Sequence, residues 1–373
     1  MANLASMLPS APKSFGRLSE AYLSAFLALR GDNPLNLPVK QSYAVILIDG
    51  LGVQNIKDAA GHAPFLNQKL RTSKSLFSGF PSTTATSLAS FATGVQNGTH
   101  GLLGYRVYDR RKSKPINFLN DLGAEFDPRT YQNLETISEQ AKSQGFRVCT
   151  IGPKEYERSG FTLATMPASD YIAEDSIADR FRAASRQLQI PGSLIYLYIP
   201  ELDQLAHRFG VASTNWLNQV EMVDSQLRSF TSSLTKATGA VVTADHGVID
   251  VDESRHIYLE EFESLSDLLA IGGDPRVAFL YFENGIDLGL KRKQIERELG
   301  TLCDVTTIDE LVVSGWLAEQ SEDSKALAPD LVLLPTANRV CYHRKFAKAK
   351  SLKMIGQHGG MSKAEWEIPL IIL

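Results

Sequence analysis

The sequence predicts an α/β protein in which helices cover both faces of a mainly parallel sheet, as a three-layer sandwich. Seven short apolar runs have the length of strands, and most of them are continuous rather than alternating. Continuous apolar runs are typical of strands that are buried on both faces. Segments with helical spacing separate most of these runs, and such alternation favours a parallel sheet between helical layers.

The elements follow one another along the whole chain. An amphipathic helix is predicted over 15–30, where apolar residues recur at helical spacing before Gly31. Strands are predicted at 43–49, 146–152, 193–200, 239–245, 276–282, 330–335 and 368–373. Further helices are predicted at 84–93, 133–144, 170–188, 214–236, 291–299 and 307–318.

The length of 373 residues fits one large α/β domain with an insertion, or two domains. We expect one catalytic domain over 1–373. Residues 257–325 are more charged and contain the strand 276–282 followed by the helical segment KRKQIEREL. This change in composition predicts a small inserted subdomain at about 257–325.

Composition and charge exclude several classes of protein. The net charge of −4 and the pI near 6.0 do not favour a nucleic-acid polymer or an anionic membrane as partner. Cys149, Cys303 and Cys341 are far apart and lack metal-knuckle spacing, which predicts reduced thiols. The segment 1–18 does not resemble a secretory signal, and no apolar run approaches the ~20 residues that span a bilayer. We therefore expect a soluble, cytoplasmic protein.

Acidic and histidine side chains follow three of the predicted strands, where ligands bind in parallel α/β sheets. The residues are Asp49 after the first strand, Asp203 and His207 after 193–200, and Asp245 and His246 after 239–245. His358 lies between glycines in GQHGG. Each alone has an ordinary structural explanation, such as a turn cap or a surface pair. Together they have the composition of a site for divalent metal ions.

The segment GFPSTTATSLASFATG, residues 79–94, places many hydroxyls at a predicted helix start. Ser and Thr are good helix caps, and small residues allow close packing. A helix N-terminus also attracts phosphate, and a nearby metal can activate a hydroxyl as a nucleophile. Metal carboxylates beside such a hydroxyl indicate phosphoryl transfer through a covalent intermediate.

The motifs together resemble the alkaline phosphatase superfamily, and within it the type I phosphodiesterase / nucleotide pyrophosphatase family. The resemblance covers most of residues 43–373 and rests on these motifs in order: VILIDGLG, GFPSTTATSLASFATG, THGLLGY, LYIPELDQLAHRFG, TADHGV and QHGGMS. It implies an alkaline-phosphatase-like fold and two divalent metal ions, usually zinc, although Asp and His ligands also suit manganese or iron.

The resemblance also implies roles for individual residues. One ion would be held by Asp49, Asp245 and His246, together with the nucleophile Thr84. The second would be held by Asp203, His207 and His358. Thr83 is the rival nucleophile, but the aromatic-Pro-x-x-Thr pattern of the family falls on Thr84.

One substrate contact departs from the family pattern. Three residues after the nucleophile, the eukaryotic branch often has an Asn that contacts the phosphoryl oxygen, and Ser87 occupies that position here. A serine can donate one hydrogen bond there but reaches less far. His100 in GTHGLLGY is interpreted as a supporting or structural residue rather than a ligand.

The expected activity is hydrolysis of a small-molecule phosphodiester or nucleotide pyrophosphate through a phosphorylated or nucleotidylated Thr84. A phosphomonoesterase or a phosphonate hydrolase of the same superfamily is the alternative. A monoesterase must meet an additional negative charge, and only Arg106 and Arg208 lie near the motifs. The rival hypothesis of another class is a non-enzymatic, metal-stabilised protein on a decayed scaffold. A decayed site would have lost a ligand or the nucleophile, whereas here all seven positions are filled.

Overall fold

The computed structural model describes residues 8–373, which form eighteen strands and thirteen α-helices. The strands are β1 Gly16–Arg17, β2 Ser42–Ile48, β3 Lys74–Phe77, β4 Arg106–Asp109, β5 Lys114–Asn117, β6 Arg147–Gly152, β7 Asp170–Ala173, β8 Ser193–Ile199, β9 Thr238–Thr243, β10 Ile249–Asp250, β11 His256–Tyr258, β12 Leu268–Asp274, β13 Val277–Phe282, β14 Cys303–Thr306, β15 Leu331–Pro335, β16 Val340–Tyr342, β17 Gly356–Gln357 and β18 Glu367–Ile372. The helices are α1 Ser19–Leu27, α2 Val53–Asp58, α3 Pro64–Leu70, α4 Thr84–Thr93, α5 Ile137–Ser143, α6 Gly160–Thr165, α7 Ile177–Leu188, α8 Glu201–Phe209, α9 Thr214–Ser232, α10 Leu288–Leu299, α11 Ile308–Val313, α12 Glu322–Leu327 and α13 Lys363–Trp366.

The central sheet has eight strands in the order β1-β3-β18-β9-β2-β8-β6-β7. All neighbours are parallel except β18, which is antiparallel to both β3 and β9. Helices α1, α4 and α5 contact one another on one face, and α7, α8 and α9 form a second contacting group. Both α1 and α7 contact β2. The predicted α/β/α sandwich with a mainly parallel sheet is therefore confirmed.

Burial explains why the central strands form. All seven residues of β2 and all six of β9 are buried, so β-branched and other apolar side chains fill both faces of the sheet. Ser213 caps helix α9, and its hydroxyl accepts the N–H of Trp216. Helix α9 contacts α3, α7 and α8. Its buried stripe recurs every three or four residues: Trp216, Val220, Val223, Leu227 and Phe230.

The helix predicted over 170–188 is only partly correct. The segment 170–188 begins with the edge strand β7, and α7 starts only at Ile177. The Ser176 hydroxyl accepts the N–H of Asp179 and so caps the helix at that point. A local cap therefore sets the boundary within the segment that periodicity assigned to one helix.

A second sheet of four antiparallel strands has the order β12-β13-β15-β14. Two of the seven predicted strands, 276–282 and 330–335, lie in this sheet rather than in the central one. Its outer face has a separate apolar cluster that extends from Ile257 to Cys341. The inserted subdomain at 257–325 stays a prediction, and we propose that it continues to Cys341 because that cluster does.

A buried ion pair joins the second sheet to α13, the short helix before β18. Arg276, just before β13, binds both carboxylate oxygens of Glu365 at 2.9 and 2.8 Å, and both side chains are buried. Arg276 also donates to the carbonyl of Ala337, and Glu365 accepts the N–H of Gly360. The pair is thus fully hydrogen-bonded on both sides.

No helix among residues 8–373 is long and apolar enough to cross a membrane.

We predict that Arg276→Leu lowers the free energy of unfolding by about 3–5 kcal/mol, because it leaves the charge of Glu365 buried without its partner. Urea unfolding followed by circular dichroism measures this change. Arg182→Leu is the control, because it breaks a solvent-exposed pair with Asp179 and should barely move the midpoint. Equal midpoints for the two variants would contradict the structural role of the buried pair.

Candidate active site

Three adjacent parallel strands bring acidic and histidine residues to one edge of the central sheet. Strand β2 lies between β8 and β9, so the carboxyl ends of all three meet there. Asp49 directly follows β2, and Asp245 and His246 follow β9. Asp203 and His207 lie four residues apart on α8, directly after β8, and therefore on one face of that helix.

Thr84 and His358 reach the same edge from the other half of the sheet. Strand β3 is antiparallel to β18, so the end of β3 and the beginning of β18 lie together. The chain after β3 leads into α4, whose first residue is Thr84. The loop before β18 carries His358, and an isolated bridge between Ser82 and Gly359 joins these two segments. The structure therefore brings all seven predicted ligand positions to one edge.

The first ligand group consists of Asp49, Asp245 and His246. The Nε2 atom of His246 lies 3.4 Å from Asp49 Oδ1 and 3.4 Å from Asp245 Oδ2. One atom from each of the three residues lies within 4.8 Å of the others, and all three residues are buried. Such a triangle of oxygen and nitrogen atoms can hold one divalent ion.

The second ligand group consists of Asp203, His207 and His358. The Nε2 atom of His207 lies 3.1 Å from Asp203 Oδ2 and 3.3 Å from Nε2 of His358. Nε2 of His358 lies 3.9 Å from Asp203 Oδ1. The rings of His246 and His358 are stacked with centroids 3.6 Å apart, so the two ligand groups adjoin.

Backbone carbonyls set the orientation of all three histidines. Nδ1 of His207 lies 2.8 Å from the carbonyl of Gly356, and Nδ1 of His358 lies 3.0 Å from that of Ser82. Nδ1 of His246 lies 3.3 Å from the carbonyl of Gly247. An Nδ1–H that donates to a carbonyl leaves Nε2 with its lone pair, which is the form that binds metal.

Each of the three carboxylates has a buried oxygen without a hydrogen-bond partner, as expected at a metal site. Asp49 Oδ1, Asp203 Oδ1 and Asp245 Oδ2 are buried and have no hydrogen-bond partner. Their other oxygens are supported: the Tyr198 hydroxyl donates to Asp49 Oδ2 at 2.5 Å, and the N–H of Gly50 donates to Asp245 Oδ1. A buried oxygen without a donor is costly unless a cation meets it. The residues present therefore fit divalent metal ions.

The electrostatics of the cluster agree with this assignment. Burial, together with the charges of Asp245 and Asp203, raises the pKa of Asp49 well above its usual range. Burial also raises the pKa of Asp245. Burial acts upward on the pKa of Asp203 too, but the rings of His207, His358 and His246 outweigh it and lower that pKa. Burial and the neighbouring His246 lower the pKa of His358.

The hydroxyls of Thr83 and Thr84 point to different partners. The Thr84 hydroxyl lies 3.2 Å from Nε2 of His246, and Thr84 is partly exposed at the first turn of α4. Thr83 is the residue before the helix, is 1% exposed, and makes no side-chain cap. Its hydroxyl interacts with Asp274 instead. The geometry therefore favours Thr84 over Thr83 as the hydroxyl that meets a ligand.

The structure places Ser87 one turn further along α4. Ser87 is fully buried, and its hydroxyl has no hydrogen-bond partner. Its role in substrate binding stays a prediction.

His100 is buried. Its Nε2 lies 2.9 Å from the Ser90 hydroxyl, and its Nδ1 accepts the N–H of Leu102. Burial lowers the pKa of His100 to about 4, so the ring is neutral at pH 7.

Sequence reasoning missed two side chains of the site. The Tyr198 hydroxyl supports Asp49, and Tyr196 lies two residues earlier on the same strand. The alternating tyrosines in SLIYLYI are a period-2 signal that could have identified the pair. Asp274, at the end of β12, is the second omission, and its segment was not predicted as a strand.

A cavity of about 260 Å³ opens beside Thr84. We call it the aromatic cavity because tyrosines and phenylalanines form much of its wall: Phe91, Tyr105, Tyr156, Phe161, Tyr171, Tyr196 and Tyr198. Thr150, Ser159 and Thr162 add hydroxyls, and its wall contains no charged side chain. Such a lining suits an uncharged organic group with a few hydrogen-bonding atoms.

The fold and the two ligand groups define a class of α/β proteins with candidate metal-binding groups beside a helix-terminal threonine. Comparison with known proteins identifies the family. The type I phosphodiesterase / nucleotide pyrophosphatase family matches residues 43–361, and the chain belongs to that family. This confirms the resemblance seen in the sequence.

Individual relatives are distant in sequence. Human ectonucleotide pyrophosphatase/phosphodiesterase family member 1 is 21% identical over 229 residues, which are 58% of this chain and 24% of that protein. The chain thus spans about a quarter of the length of this relative.

Two solved structures share the fold. Murine ectonucleotide pyrophosphatase/phosphodiesterase 5, an inactive variant in complex with AMP, superposes with a TM-score of 0.68 and 15% identity, covering 89% of this chain and 87% of that one. Phosphonoacetate hydrolase from Sinorhizobium meliloti 1021, in complex with phosphonoformate, superposes with a TM-score of 0.67 and 19% sequence identity. The superposition covers 92% of each chain. Both likenesses confirm the alkaline-phosphatase-like fold.

We predict that zinc raises the unfolding temperature more at pH 8 than at pH 5.5. The raised pKa of Asp49 favours its protonated form in the metal-free fold. Protonated Asp49 therefore stabilises the metal-free fold. This contribution to the free energy of unfolding is fully present below the pKa that Asp49 has in the unfolded chain, and it is lost as the pH rises through its pKa in the folded protein. Metal requires the ionised carboxylate, so a proton competes less with zinc at pH 8.

Calorimetry with EDTA or with excess zinc at both pH values measures the increment. The Asp49→Asn variant should show a smaller increment that depends less on pH. An increment that is equal at both pH values, or absent, would contradict a metal site built on Asp49.

Proposed function

We propose that the protein is a metal-dependent phosphodiesterase or nucleotide pyrophosphatase that acts through a covalent threonine intermediate at a two-metal site. The observation that carries this proposal is the position of Thr84. Its hydroxyl lies at a helix N-terminus, 3.2 Å from His246, where two ligand groups adjoin. Zinc is the expected metal because the family resemblance implies it, and aspartate and histidine atoms fit zinc in both groups.

The relatives support this assignment. The murine neighbour is described as a nucleotide pyrophosphatase/phosphodiesterase, its complex contains AMP, and the inactive form carries alanine in place of a threonine. We infer that Thr84 has the corresponding role in this chain. The expected substrate is a small phosphodiester or a nucleotide pyrophosphate. The expected cytoplasmic location stays a prediction.

Divalent ions bound to the two groups would lower the pKa of the Thr84 hydroxyl and neutralise charge on the attacking and leaving oxygens. The chain itself supplies position. The first turn of α4 has N–H groups without helical partners, and these attract a phosphoryl oxygen. The Tyr198 hydroxyl holds Asp49, and the carbonyls of Gly356 and Ser82 hold the rings of His207 and His358.

The reaction has two displacements. Thr84 loses its proton to solvent, and its Oγ forms a bond to phosphorus as the bond from phosphorus to the leaving oxygen breaks. The leaving oxygen keeps the electron pair and takes a proton. Water then attacks the same phosphorus, the bond to Thr84 Oγ breaks, and the hydroxyl regains a proton. Most of the rate enhancement comes from orientation and charge stabilisation.

A diester is favoured over a monoester by the surroundings of Thr84. The aromatic cavity has no charged side chain in its wall, so it offers no cation to the additional charge of a monoester. It suits the uncharged organic group that a diester carries. A phosphonate hydrolase is the second candidate, because the phosphonoacetate hydrolase fold covers 92% of this chain.

We predict that Thr84→Ala lowers kcat for bis-p-nitrophenyl phosphate by about 10³-fold or more, because it removes the nucleophile. The measurement is kcat/KM of the zinc-loaded protein, with p-nitrophenyl phosphate alongside. Circular dichroism and metal analysis should show an unchanged fold and bound zinc. Full activity in this variant would exclude the covalent mechanism.

Thr83→Ala is the matched control, because it removes the neighbouring hydroxyl. This variant should retain kcat within about tenfold, since the Thr83 hydroxyl interacts with Asp274 rather than with a residue of the two ligand groups.

A preference for the diester that disappears in Thr84→Ala supports the phosphodiesterase. A preference for the monoester would keep the site and assign a phosphatase. No hydrolysis of either ester would favour phosphonates or the non-catalytic scaffold.

We predict that His358→Ala lowers bound zinc from two ions toward one per chain, because it opens only the second ligand group. Asp203→Ala should do the same, and Asp49→Ala should instead weaken the first group. Inductively coupled plasma mass spectrometry after dialysis against a low zinc concentration counts the ions. A single zinc ion per chain in the unaltered protein, with the same number in His358→Ala, would contradict the two-metal site.

A further inference from the structure

One buried carboxylate resembles the metal ligands without belonging to them. Among residues 8–373, four carboxylates keep a buried oxygen that has no hydrogen-bond partner: Asp49, Asp203, Asp245 and Asp274. The first three belong to the two ligand groups. Asp274 belongs to neither. Because an unpartnered buried oxygen is costly, it calls for a partner that arrives from outside the chain.

The fold holds Asp274 in a rigid position. It ends β12 and pairs with Val277 across a tight turn. Gly273 before it has φ 75°, and a Cβ there would lie 2.0 Å from the carbonyl oxygen of Val277, so only glycine fits. Arg276 in the same turn is bound to the buried Glu365. The backbone that carries this carboxylate is therefore held in place before any ligand binds.

One oxygen of Asp274 is supported and the other is free. The Thr83 hydroxyl and the N–H of Tyr105 interact with the carboxylate, whereas Oδ2 has no partner. Burial raises the pKa of Asp274 to about 7, opposed by these two donors and by His207. Oδ2 thus lacks a donor in its present surroundings, and a hydrogen-bond donor in a ligand would meet it.

Asp274 lies in the wall of a second cavity, of about 290 Å³, which we call the hairpin cavity. Its wall also contains Tyr105, Asn117, Tyr342 and Phe346, and none of the seven ligand residues. Tyr105 lies in the walls of both this cavity and the aromatic cavity. Asn120 also lies in both walls. A phosphodiester has two organic substituents, and two cavities that share these two wall residues can each take one of them.

The cationic side chains of the hairpin cavity do not neutralise Asp274. Arg106 donates to the carbonyl of Phe346 at 2.8 Å, and Lys348 is exposed. Neither forms an ion pair with Asp274 among the described residues. Asp121 also lies in this wall, but its carboxylate already accepts the N–H of Asn117 at 2.7 Å. Asp274 is thus the acidic group of this cavity that has a buried oxygen without a partner.

We propose that Asp274 is a specificity-determining residue that accepts a hydrogen bond from a hydroxyl or ammonium group on the substrate substituent in the hairpin cavity. The proposal rests on the proposed function, because it concerns the same phosphorus centre. It narrows the substrate class to phosphoesters whose second substituent carries a donor a few bonds from phosphorus. A plain alkyl substituent would leave Oδ2 without a partner and should be selected against.

Three esters with one leaving group test this selection: ethyl, 2-hydroxyethyl and 2-aminoethyl p-nitrophenyl phosphate. We expect kcat/KM for the hydroxyethyl and aminoethyl esters to exceed that for the ethyl ester by about tenfold or more. Asp274→Ala should reduce this preference to less than about twofold while leaving the ethyl ester within about threefold. Asp274→Asn should keep part of the hydroxyethyl preference, since its amide oxygen accepts, and lose the aminoethyl preference.

Asp121→Asn is the matched control, because it removes the other carboxylate charge from the same wall. It should keep the order of the three esters, and zinc content should be the same in all variants. Equal rates for the three esters in the unaltered protein would overturn the proposal. An equal loss of kcat/KM for all three esters in Asp274→Ala would assign Asp274 a structural role and overturn the proposal. Loss of the preference in Asp121→Asn would also overturn the proposal.

A binding measurement separates this proposal from the function on which it rests. Calorimetry with the zinc-loaded Thr84→Ala protein compares phosphoethanolamine with ethyl phosphate, and phosphoethanolamine should bind about tenfold more tightly. The double variant with Asp274→Ala should bind both equally. If no ester is hydrolysed but this difference in affinity is present, the proposed function fails and the role of Asp274 stands. Equal affinities in the Thr84→Ala protein would overturn the role of Asp274.

Discussion

The burial of three carboxylates and three histidines at one edge of the sheet is the interaction on which the rest of the structure depends. Asp49, Asp203 and Asp245 each keep a buried oxygen that no donor meets. Carboxylates so placed repel one another, and the raised pKa of Asp49 reflects both burial and this repulsion. A cation removes the conflict. We propose that the arrangement lowers the stability of the metal-free fold and in return provides affinity for metal.

The surrounding structure limits how far these ligands can move. Carbonyls orient the three histidines, and the Tyr198 hydroxyl and the Gly50 N–H hold two of the carboxylates. The loop that carries His358 continues to Gly360, whose N–H binds Glu365, and Glu365 is held by Arg276 of the second sheet. The second sheet is thus connected to the metal centre through a buried ion pair. Such support preserves ligand geometry even though the ligands come from distant parts of the chain.

The sequence allowed prediction of those parts of the site that follow long buried strands. Asp49, Asp245 and His246 come directly after continuous apolar runs, and the strand order places those runs side by side. Asp274 was not predicted, because β12 contains glycines and pairs within a small antiparallel sheet whose register depends on distant segments. The start of α7 was also misplaced, since a single Ser176 cap outweighed helical periodicity. Local patterns thus identified strand ends, whereas contacts between sheets required the structure.

We propose that the separation between the ligand groups and the cavities lets one site act on different substrates. The seven predicted ligand positions would meet the phosphorus centre that phosphodiesters and phosphonates share, so they would carry little information about the organic group. In this proposal that information lies in the walls of the two cavities, which are formed largely by different parts of the chain. Residues between 84 and 198 line the aromatic cavity, which has no charged side chain, whereas Asp274 lies in the wall of the hairpin cavity at the end of a strand of the second sheet. Changes in the second sheet would therefore alter substrate choice while the seven ligand positions stay in place.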